Sequence, residues 1–333
     1  MLGTRQQTVR FPTSPAESLV VNDLYFPLAS APAAFWSVVR LDGGDIRVTT
    51  QDGVTKCARE VVGFDYASKT GSLFFQANGG TSFFLSAGSN AAEPAVDSAL
   101  GSQSVWGSEY AGVWHMGRSA DGTLSVADST GKNSATNHRA TLGSGGKVGR
   151  SAAFATSAAY VDVGNAAALQ LTGALTFMAW ANPTNFASYR AIFGKLTTYY
   201  PGSYDWMLMT TTGKPRFLRG QGTSSGYGNV DGMSAPTEGQ WNHLAVTMAG
   251  GSGSAVIHYL NGSANGSGNL TATIADGGTA ATIGRRTYDG GEQFFGSLDE
   301  LRILNVEKSA TWIAQHVSMQ GNPASFWAVG VAT

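Results

Sequence analysis

The sequence predicts an all-β protein made of two β-sandwich domains, with one short helix near its C-terminal end. Charged residues make up only 13% of the 333 residues, about half the usual ~25%, while 44 residues are glycine. Short apolar or alternating segments end repeatedly at glycine, asparagine or aspartate, which is typical of strands joined by turns. The apolar fraction of 42% is high enough to form a folded core.

Individual strands are predicted where an alternating segment meets a turn dipeptide. Residues 45–50 precede Asp52-Gly53, and residues 256–260 precede Asn261-Gly262. Asp-Gly and Asn-Gly readily adopt the positive φ angles that two-residue hairpins require. Hairpins imply antiparallel sheets.

Residues 309–317 form the one convincing helical segment. Trp312, Ile313 and Val317 can share a face, and Ser309 can cap the first turn. A single short helix argues against the alternating βαβ architecture of nucleotide-binding folds.

A polar interval at residues 117–122 indicates a domain boundary, because it follows the aromatic stretch Trp106–Trp114. We therefore expect a β-rich N-terminal domain over residues 1–118, with an anchoring or assembly role, and a second domain over residues 119–333. Residues 86–104 are rich in alanine, serine and glycine and are expected to form a long loop.

The charge balance limits the partners of the protein. The 21 basic and 22 acidic residues give a net charge of −1, and the basic residues form no cluster, so we expect no binding to nucleic acid. A near-neutral surface suits a permanent place in an assembly. Without a run of ~18 apolar residues, no membrane insertion is expected. The first ten residues lack the apolar stretch of a signal peptide, and the lone Cys57 excludes an intrachain disulfide.

Seven short motifs follow one another in the second half of the chain. They lie at residues 128–133, 147–154, 160–164, 175–180, 239–247, 259–262 and 295–303. Their order resembles the laminin G-like jelly roll of the concanavalin A-like lectin and glucanase superfamily. The resemblance implies a jelly roll in this half.

The first ~115 residues are similar to an uncharacterised β-rich bacterial domain that commonly precedes such a jelly roll. The similarity depends on Phe35-Trp36 and on residues 42–48, 60–65 and 105–116. That family has no established activity, so the similarity predicts the domain architecture of this half but no chemical activity.

The sequence carries no recognisable catalytic residues, and we expect no enzyme. Glycan-cleaving relatives in the superfamily place two carboxylates on one strand, typically as Glu-x-Asp-x-x-Glu, and this motif is absent here. Asp299 and Glu300 are adjacent, so strand alternation predicts that they point to opposite faces and cannot flank one bond. The five histidines show neither metal-ligand nor triad spacing.

Calcium is the one cofactor that the resemblance makes possible, as a structural ion. Jelly rolls of this superfamily often hold it with an aspartate near the last strand, and Asp299 has a similar position. Asp128 and Asp162 are further candidates, because hard cations prefer oxygen ligands. The alternatives are turn capping and, for Asp299, an ion pair with Arg302.

Residues 196–233 have the composition of a ligand-binding region. Aromatic rings stack on sugars, while amides, guanidinium groups and carboxylates bind hydroxyl groups. The same composition is typical of protein interfaces, and packing within a loop is the third interpretation. The candidate residues are Tyr199, Tyr200, Tyr204, Trp206, Arg219, Tyr227, Asn229 and Asp231.

These observations together favour a non-enzymatic structural or adhesive protein. Our leading hypothesis is a bacteriophage virion component, either a head decoration or a tail-associated subunit, that belongs to an oligomer or larger assembly. Its lectin-like domain would contact neighbouring virion proteins or host-surface glycan. The alternative is a bacterial carbohydrate-binding or adhesion module at the cell surface or secreted, and a glycan-cleaving enzyme is the third interpretation.

Overall fold

The turn at Asn261-Gly262 shows how the local sequence sets the chain direction. Both residues have positive φ angles, 51° and 84°. They join strands Ser254–Leu260 and Ser263–Leu270, which pair antiparallel with Leu260 opposite Ser263. Asparagine and glycine tolerate this left-handed backbone better than other residues, and the predicted hairpin is confirmed.

The structure is a computed structural model that describes residues 8–195, 204–208, 211–220, 227–251, 253–270, 278–287 and 290–333. It divides into two compact units. Unit 1 comprises Met1–Gly107 with Gln315–Thr333, and unit 2 comprises Ser108–Ala314. The fold is all-β, as predicted.

Unit 1 is built from seven strands in two sheets. A four-stranded sheet has the order β22-β1-β6-β3, and a three-stranded sheet has the order β2-β5-β4. Its short helices are α1 (Ala33–Trp36) and α3 (Pro323–Phe326), with 3-10 turns at Leu28–Ser30 and Ser102–Val105. The strands are β1 (Val9–Pro15), β2 (Asp23–Pro27), β3 (Arg47–Thr50), β4 (Arg59–Asp65), β5 (Thr70–Gln76), β6 (Phe83–Ala87) and β22 (Trp327–Val329).

Aromatic rings join the two sheets of unit 1. The ring centroids of Phe75 and Phe83 are 5.0 Å apart, and those of Phe11 and Phe26 are 6.1 Å apart. Each pair takes one ring from each sheet, and all four side chains are buried. The two sheets therefore enclose one aromatic core.

The long loop predicted in the first half follows β6 and is held by a buried arginine. The Arg59 guanidinium donates to both carboxylate oxygens of Glu93 at 2.6 Å and, through Nε, to the carbonyl of Ile46 at 2.8 Å. Paired guanidinium and carboxylate groups form short, charge-assisted hydrogen bonds. These hydrogen bonds hold the irregular loop against the sheet.

Unit 2 contains the other fifteen strands of the described chain. It also holds a 3-10 turn at Ala167–Leu169 and the first residues of helix α2 (Ala310–Gly321), whose residues from Gln315 onward belong to unit 1. The strands are β7 (Tyr110–Trp114), β8 (Thr136–His138), β9 (Thr141–Leu142), β10 (Ala152–Phe154), β11 (Tyr160–Gly164), β12 (Leu175–Pro183), β13 (Arg190–Lys195), β14 (Tyr204–Leu208), β15 (Pro215–Gly220), β16 (Tyr227–Asp231), β17 (Asn242–Met248), β18 (Ser254–Leu260), β19 (Ser263–Leu270), β20 (Ala281–Ile283) and β21 (Gly296–Leu304).

These strands form the two layers of a jelly roll. The eight-stranded sheet has the order β19-β18-β17-β12-β21-β10-β9, with β7 also paired to β21. The seven-stranded sheet has the order β16-β15-β14-β13-β20-β11-β8. Phe177 lies in the core between them, with its ring centroid 5.6 Å from Phe193 and 6.0 Å from Phe217. The predicted jelly roll with a short C-terminal helix is confirmed.

The unit boundaries differ from those expected at residue 118. Strand β7 pairs with β21, with Leu301 opposite Trp114, so residues 108–118 belong to the second unit. Strand β22 pairs with β1, with Val329 opposite Thr13, which returns the last residues to the first unit. Both differences come from pairings between segments about 190 and 315 residues apart, which no local pattern reveals.

The alternation of residues 241–247 predicts a strand with one face in the core and one partly solvated face, and strand β17 has the alternation but not the solvated face. Leu244, Val246 and Met248 lie in the core. His243 and Thr247 on the other face are also completely buried, so the expectation of a partly solvated surface here is wrong. A central strand covered on both sides loses the polar face of an open sheet.

Helix α2 begins where the sequence predicts. Ser309 Oγ accepts the backbone N–H of Trp312 at 3.2 Å, which is the expected N-terminal cap. The helix extends to Gly321, four residues beyond the predicted end. Among the described residues, no helix has the length and apolar character of a membrane span.

Candidate functional site

The seven-stranded sheet turns one face to the core and the other away from it, which we call the outer face. Val161, Phe193, Phe217 and Val230 lie on the core side. Because strand positions alternate, their neighbours occupy the outer face. One register-paired row crosses this face through Thr136, Asp162, Thr282, Gly194, Asp205, Leu218 and Asn229.

Three polar side chains form a cluster where the outer face reaches edge strand β16. Arg216 donates to Asp231 through Nε at 2.7 Å and through Nη2 at 2.8 Å. Asn229 donates its amide N–H to Asp231 Oδ1 at 3.2 Å. The pairing of β15 with β16 places Arg216 directly opposite Asp231. We call these three residues the edge cluster.

The edge cluster is charged and reachable from solvent. Hydrogen bonds from Arg216 lower the pKa of Asp231 below its usual value, and this effect outweighs the opposing effect of partial burial. The side chain of Asp231 is 33% exposed, and Asn229 is exposed. A carboxylate with a remaining lone pair and an amide carbonyl can both accept hydrogen bonds from hydroxyl groups. The cluster can therefore bind a polyhydroxylated ligand.

Arg216 was missing from the predicted site, although it lies within the predicted region. The sequence pattern that could have identified it is the strand spacing that sets residues 215–220 against residues 227–231. Opposite charges directly across a strand pair attract each other.

At the opposite end of the outer face, Tyr160 offers no surface for stacking. The His138 ring lies parallel to it at a centroid distance of 4.2 Å and an interplanar angle of 5°. The Arg285 guanidinium carbon lies 3.2 Å from the Tyr160 centroid. With both ring faces covered, Tyr160 acts as a structural contact between strand and loop.

Two of the predicted ligand-binding side chains are buried. Trp206 is completely buried in the core, 6.1 Å from Phe177 between ring centroids, so the expectation that its face stacks on a sugar is wrong. Arg219 is 2% exposed, and its guanidinium donates to the carbonyl of Leu171 and to Met248 Sδ, which corrects its assignment as a hydroxyl-binding group. Trp206 lies directly opposite Phe217, and Arg219 lies two residues after Phe217 on the same strand, so strand alternation turns both side chains inward.

The remaining predicted residues divide into three groups. Asn229 and Asp231 come together on the outer face, as described above. Tyr199 and Tyr200 lie outside the described residues. For Tyr204 and Tyr227 the structure describes only strand positions, opposite Arg219 and Gly220 respectively.

The metal candidate Asp128 organises a loop through its two carboxylate oxygens. Oδ1 accepts the backbone N–H groups of Val113 and Thr130. Oδ2 accepts the Thr130 hydroxyl at 2.6 Å, the backbone N–H groups of Lys132 and Asn133, and the Asn133 amide at 2.7 Å. Turn capping, the alternative to calcium binding, describes this residue.

The other two metal candidates also accept backbone N–H groups. Asp162 Oδ1 caps Gly164 at 2.9 Å, and Asp299 Oδ2 accepts the N–H groups of Lys147 and Val148 at 2.7 and 2.8 Å. The structure does not bring the three aspartates together, and the part of the chain that it describes contains no group of three histidine, cysteine or acidic side chains suited to a metal ion. Calcium binding stays a prediction.

Asp299 and Glu300 do not point to opposite faces, which corrects the expectation from strand alternation. A β-bulge interrupts the pairing of β12 with β21, since Trp180 opposes Asp299 while Met178 opposes Arg302. Glu300 has a φ of 51°. Its Oε1 lies 2.6 Å from His115 Nδ1, and its Oε2 accepts Arg302 Nη2 at 2.7 Å. A bulge adds one residue to a strand and so shifts its side chains between faces.

The two adjacent carboxylates have pKa values shifted in opposite directions. Burial and the neighbouring charge of Glu300 raise the pKa of Asp299 well above its usual value. Burial acts the same way on Glu300, but His115 and Arg302 outweigh it and lower its pKa. Such a pair can serve as acid and base in enzymes. Here both are at most 1% exposed, so the geometry gives a substrate no access to them.

The comparisons with known proteins agree with the fold. Residues 155–314 match the model of the concanavalin A-like lectin/glucanases superfamily. The binding domain of Paraclostridial Mosquitocidal Protein 1 is similar with a TM-score of 0.51 and 11% identity, over 64% of this chain and 53% of that one. The chain thus spans about half the length of that toxin domain. No curated protein matches the sequence.

Two further solved structures show a weaker similarity. Domain 4 of AbnA, a GH43 extracellular arabinanase from Geobacillus stearothermophilus solved with arabinotriose, has a TM-score of 0.46 and 21% identity, over 62% of this chain and 97% of that one. The CBM40 of Ruminococcus gnavus IT-sialidase has a TM-score of 0.40 and 13% identity, over 47% and 92%. The jelly roll in the second half of the chain is a domain of the concanavalin A-like lectin/glucanase superfamily.

Proposed function

We propose that unit 2 is a carbohydrate-binding module and that it contacts glycan through the edge cluster of Arg216, Asp231 and Asn229. The observation that carries this proposal is the hydrogen-bonded ion pair of Arg216 and Asp231, both partly buried, beside the exposed Asn229 on the outer face. The superfamily of the domain supports a saccharide as the ligand.

The edge cluster has the preorganisation that weak, polar ligands need. Arg216 holds the Asp231 carboxylate in place through two hydrogen bonds, so less conformational entropy is lost when a hydroxyl group binds it. The Asn229 amide is oriented by the same carboxylate. In the described residues the carbonyl oxygen of Asn229 has no protein donor, and it is therefore available to a ligand.

A glycan array probed with the full chain tests the proposal. We expect one class of saccharide to bind, and we expect Asp231→Ala and Asn229→Ala each to weaken that binding at least tenfold. A tenfold loss corresponds to about 1.4 kcal/mol, close to the lower end of the range of about 1.5–3 kcal/mol for hydrogen bonds to a charged group. Thr136→Ala, at the other edge of the same sheet, is the matched control and should leave binding unchanged.

Two outcomes contradict this site assignment. One is the absence of binding to any saccharide on the array. The other is binding that Asp231→Ala and Asn229→Ala leave intact while their melting temperatures remain normal. Because Asp231 lies at an edge strand and is one-third exposed, both variants should fold.

The finer role, a virion component that contacts neighbouring subunits or host glycan, stays a prediction, as does a virion location. The near-zero net charge supports it, because a near-neutral surface suits a permanent place in an assembly. Mass spectrometry of purified particles from the source should detect the chain at a fixed stoichiometry. Recovery of the chain only as a free monomer, or at a bacterial surface, would favour the adhesion module instead.

A further inference from the structure

Unit 1 carries a groove on the outward side of its four-stranded sheet. The groove has a volume of about 350 Å³, within the usual range for small-molecule sites. Its ten lining residues are all uncharged, and they include Pro12, Ser14, Gln51, Ser82 and Phe84. The groove therefore combines an apolar wall with hydroxyl and amide groups.

The apolar wall centres on Phe84 and Pro12. These residues oppose each other across β6 and β1, and Thr49 opposes Phe84 from the other side. Both Phe84 and Pro12 are only partly buried, unlike Phe83 and Leu85, which face the core. An exposed ring on a sheet face is the element on which a sugar ring packs.

A cation without an acidic partner lies beside this wall. The guanidinium carbon of Arg10 is 3.4 Å from the centroid of the Phe84 ring. Within the described residues no side-chain carboxylate lies in ion-pair distance of the Arg10 guanidinium. The nearby acid of the turn, Asp52, uses its oxygens for Thr50, Val54 and Thr55, which lower its pKa.

The backbone next to Arg10 leaves room for its side chain. A Cβ at Gly53, which has a φ of +72°, would lie 2.5 Å from Arg10 Nη2. The glycine therefore permits the guanidinium to rest flat on Phe84. This arrangement fixes the positive charge at the rim of the groove, where it can form charge-assisted hydrogen bonds with an anion.

Three polar groups of the groove are free to bind hydroxyls. In the part of the chain that the structure describes, the side chains of Ser14, Gln51 and Ser82 have no hydrogen-bond partner. Each can donate to and accept from a hydroxyl group. We propose that the groove binds an acidic saccharide unit, with its ring against Phe84, its hydroxyls on these three side chains and its carboxylate on Arg10.

Three small probes distinguish the contribution of the ligand's sugar ring to binding from that of its carboxylate. D-glucuronate carries both, D-glucose carries only the ring, and acetate carries only the charge. Ligand-observed NMR titrations of the full chain should show that glucuronate binds at least tenfold more tightly than glucose or acetate. Arg10→Gln should remove this preference. Ser82→Trp fills the groove but keeps the charge of Arg10, and it should weaken the binding of glucuronate at least tenfold.

Control variants distinguish this groove from other surfaces. Lys69→Gln removes an exposed positive charge from the same unit and should leave glucuronate binding unchanged. Asn229→Ala in unit 2 should also leave it unchanged, so failure of the proposed unit 2 site does not affect this test. Equal binding of the three probes overturns the proposal. Retained preference in Arg10→Gln, with an unchanged melting temperature, overturns it as well.

Discussion

Replacing Glu300 with glutamine removes one charge from the buried group formed by Glu300, Arg302 and His115. The substitution preserves the size of the side chain, so no large cavity forms. Arg302 then remains buried at 0% exposure beside a neutral amide. The change therefore isolates the electrostatic contribution of one carboxylate.

The expected loss follows from the two contacts of Glu300. Its carboxylate accepts Arg302 Nη2 at 2.7 Å and lies 2.6 Å from His115 Nδ1. Hydrogen bonds to charged groups contribute about 1.5–3 kcal/mol each, and breaking a buried ion pair costs about 3–5 kcal/mol. We expect Glu300→Gln to lower the free energy of unfolding by about 3–5 kcal/mol.

Urea unfolding followed by tryptophan fluorescence measures this loss, with the slope against urea checked for a change in mechanism. The matched control is Glu109→Gln, which breaks the ion pair with Lys308 at 2.7 Å, where Glu109 is 38% exposed. That exposed pair should contribute less than about 1 kcal/mol. A loss below 1 kcal/mol for Glu300→Gln, equal to the control, would refute the reasoning.

Three further predictions concern buried side chains of unit 2. Trp206→Ala should lower the free energy of unfolding by about 3–5 kcal/mol in urea unfolding, because the indole ring lies in the core. A variant that keeps its stability and loses only glycan binding would contradict this prediction. The imidazole nitrogens of His243 have no hydrogen-bond partner among the described residues, and burial lowers the pKa of this side chain to about 3. Since the unfolded chain then binds the extra proton, stability falls as the pH drops below about 6.5, and His243→Leu should reduce the loss between pH 7 and pH 5 by about 2 kcal/mol. An unchanged pH dependence in urea unfolding would count against it. Asp128→Asn should lower the melting temperature equally in calcium and in chelator, because amide N–H groups would face its present donors; a loss seen only in calcium would instead indicate a metal ligand.

Local features of the fold could be predicted from the sequence because neighbouring residues determine them. The turn at Asn261-Gly262 depends on two backbone angles, and the cap at Ser309 depends on a contact three residues away. Strand alternation likewise placed Leu244 and Val246 in the core. Each of these features is decided within a few residues.

The candidate site was only partly predictable because it depends on register. The inward position of Trp206 follows from its place opposite Phe217, and this pairing is set by the whole sheet. The bulge at Glu300 removes the alternation between the adjacent Asp299 and Glu300, and no glycine or proline marks it in the sequence. Arg216 became visible as a site residue only once β15 and β16 were aligned.

Hydrogen–deuterium exchange of the full chain, with and without the saccharide selected on the array, tests the central claim most directly. Ligand binding at the edge cluster should slow exchange in peptides that cover Pro215–Gly220 and Tyr227–Asp231. Asp231→Ala should abolish this protection. Protection confined to other strands of unit 2, and unaffected by Asp231→Ala, would contradict the claim that this module binds glycan at the edge of its seven-stranded sheet.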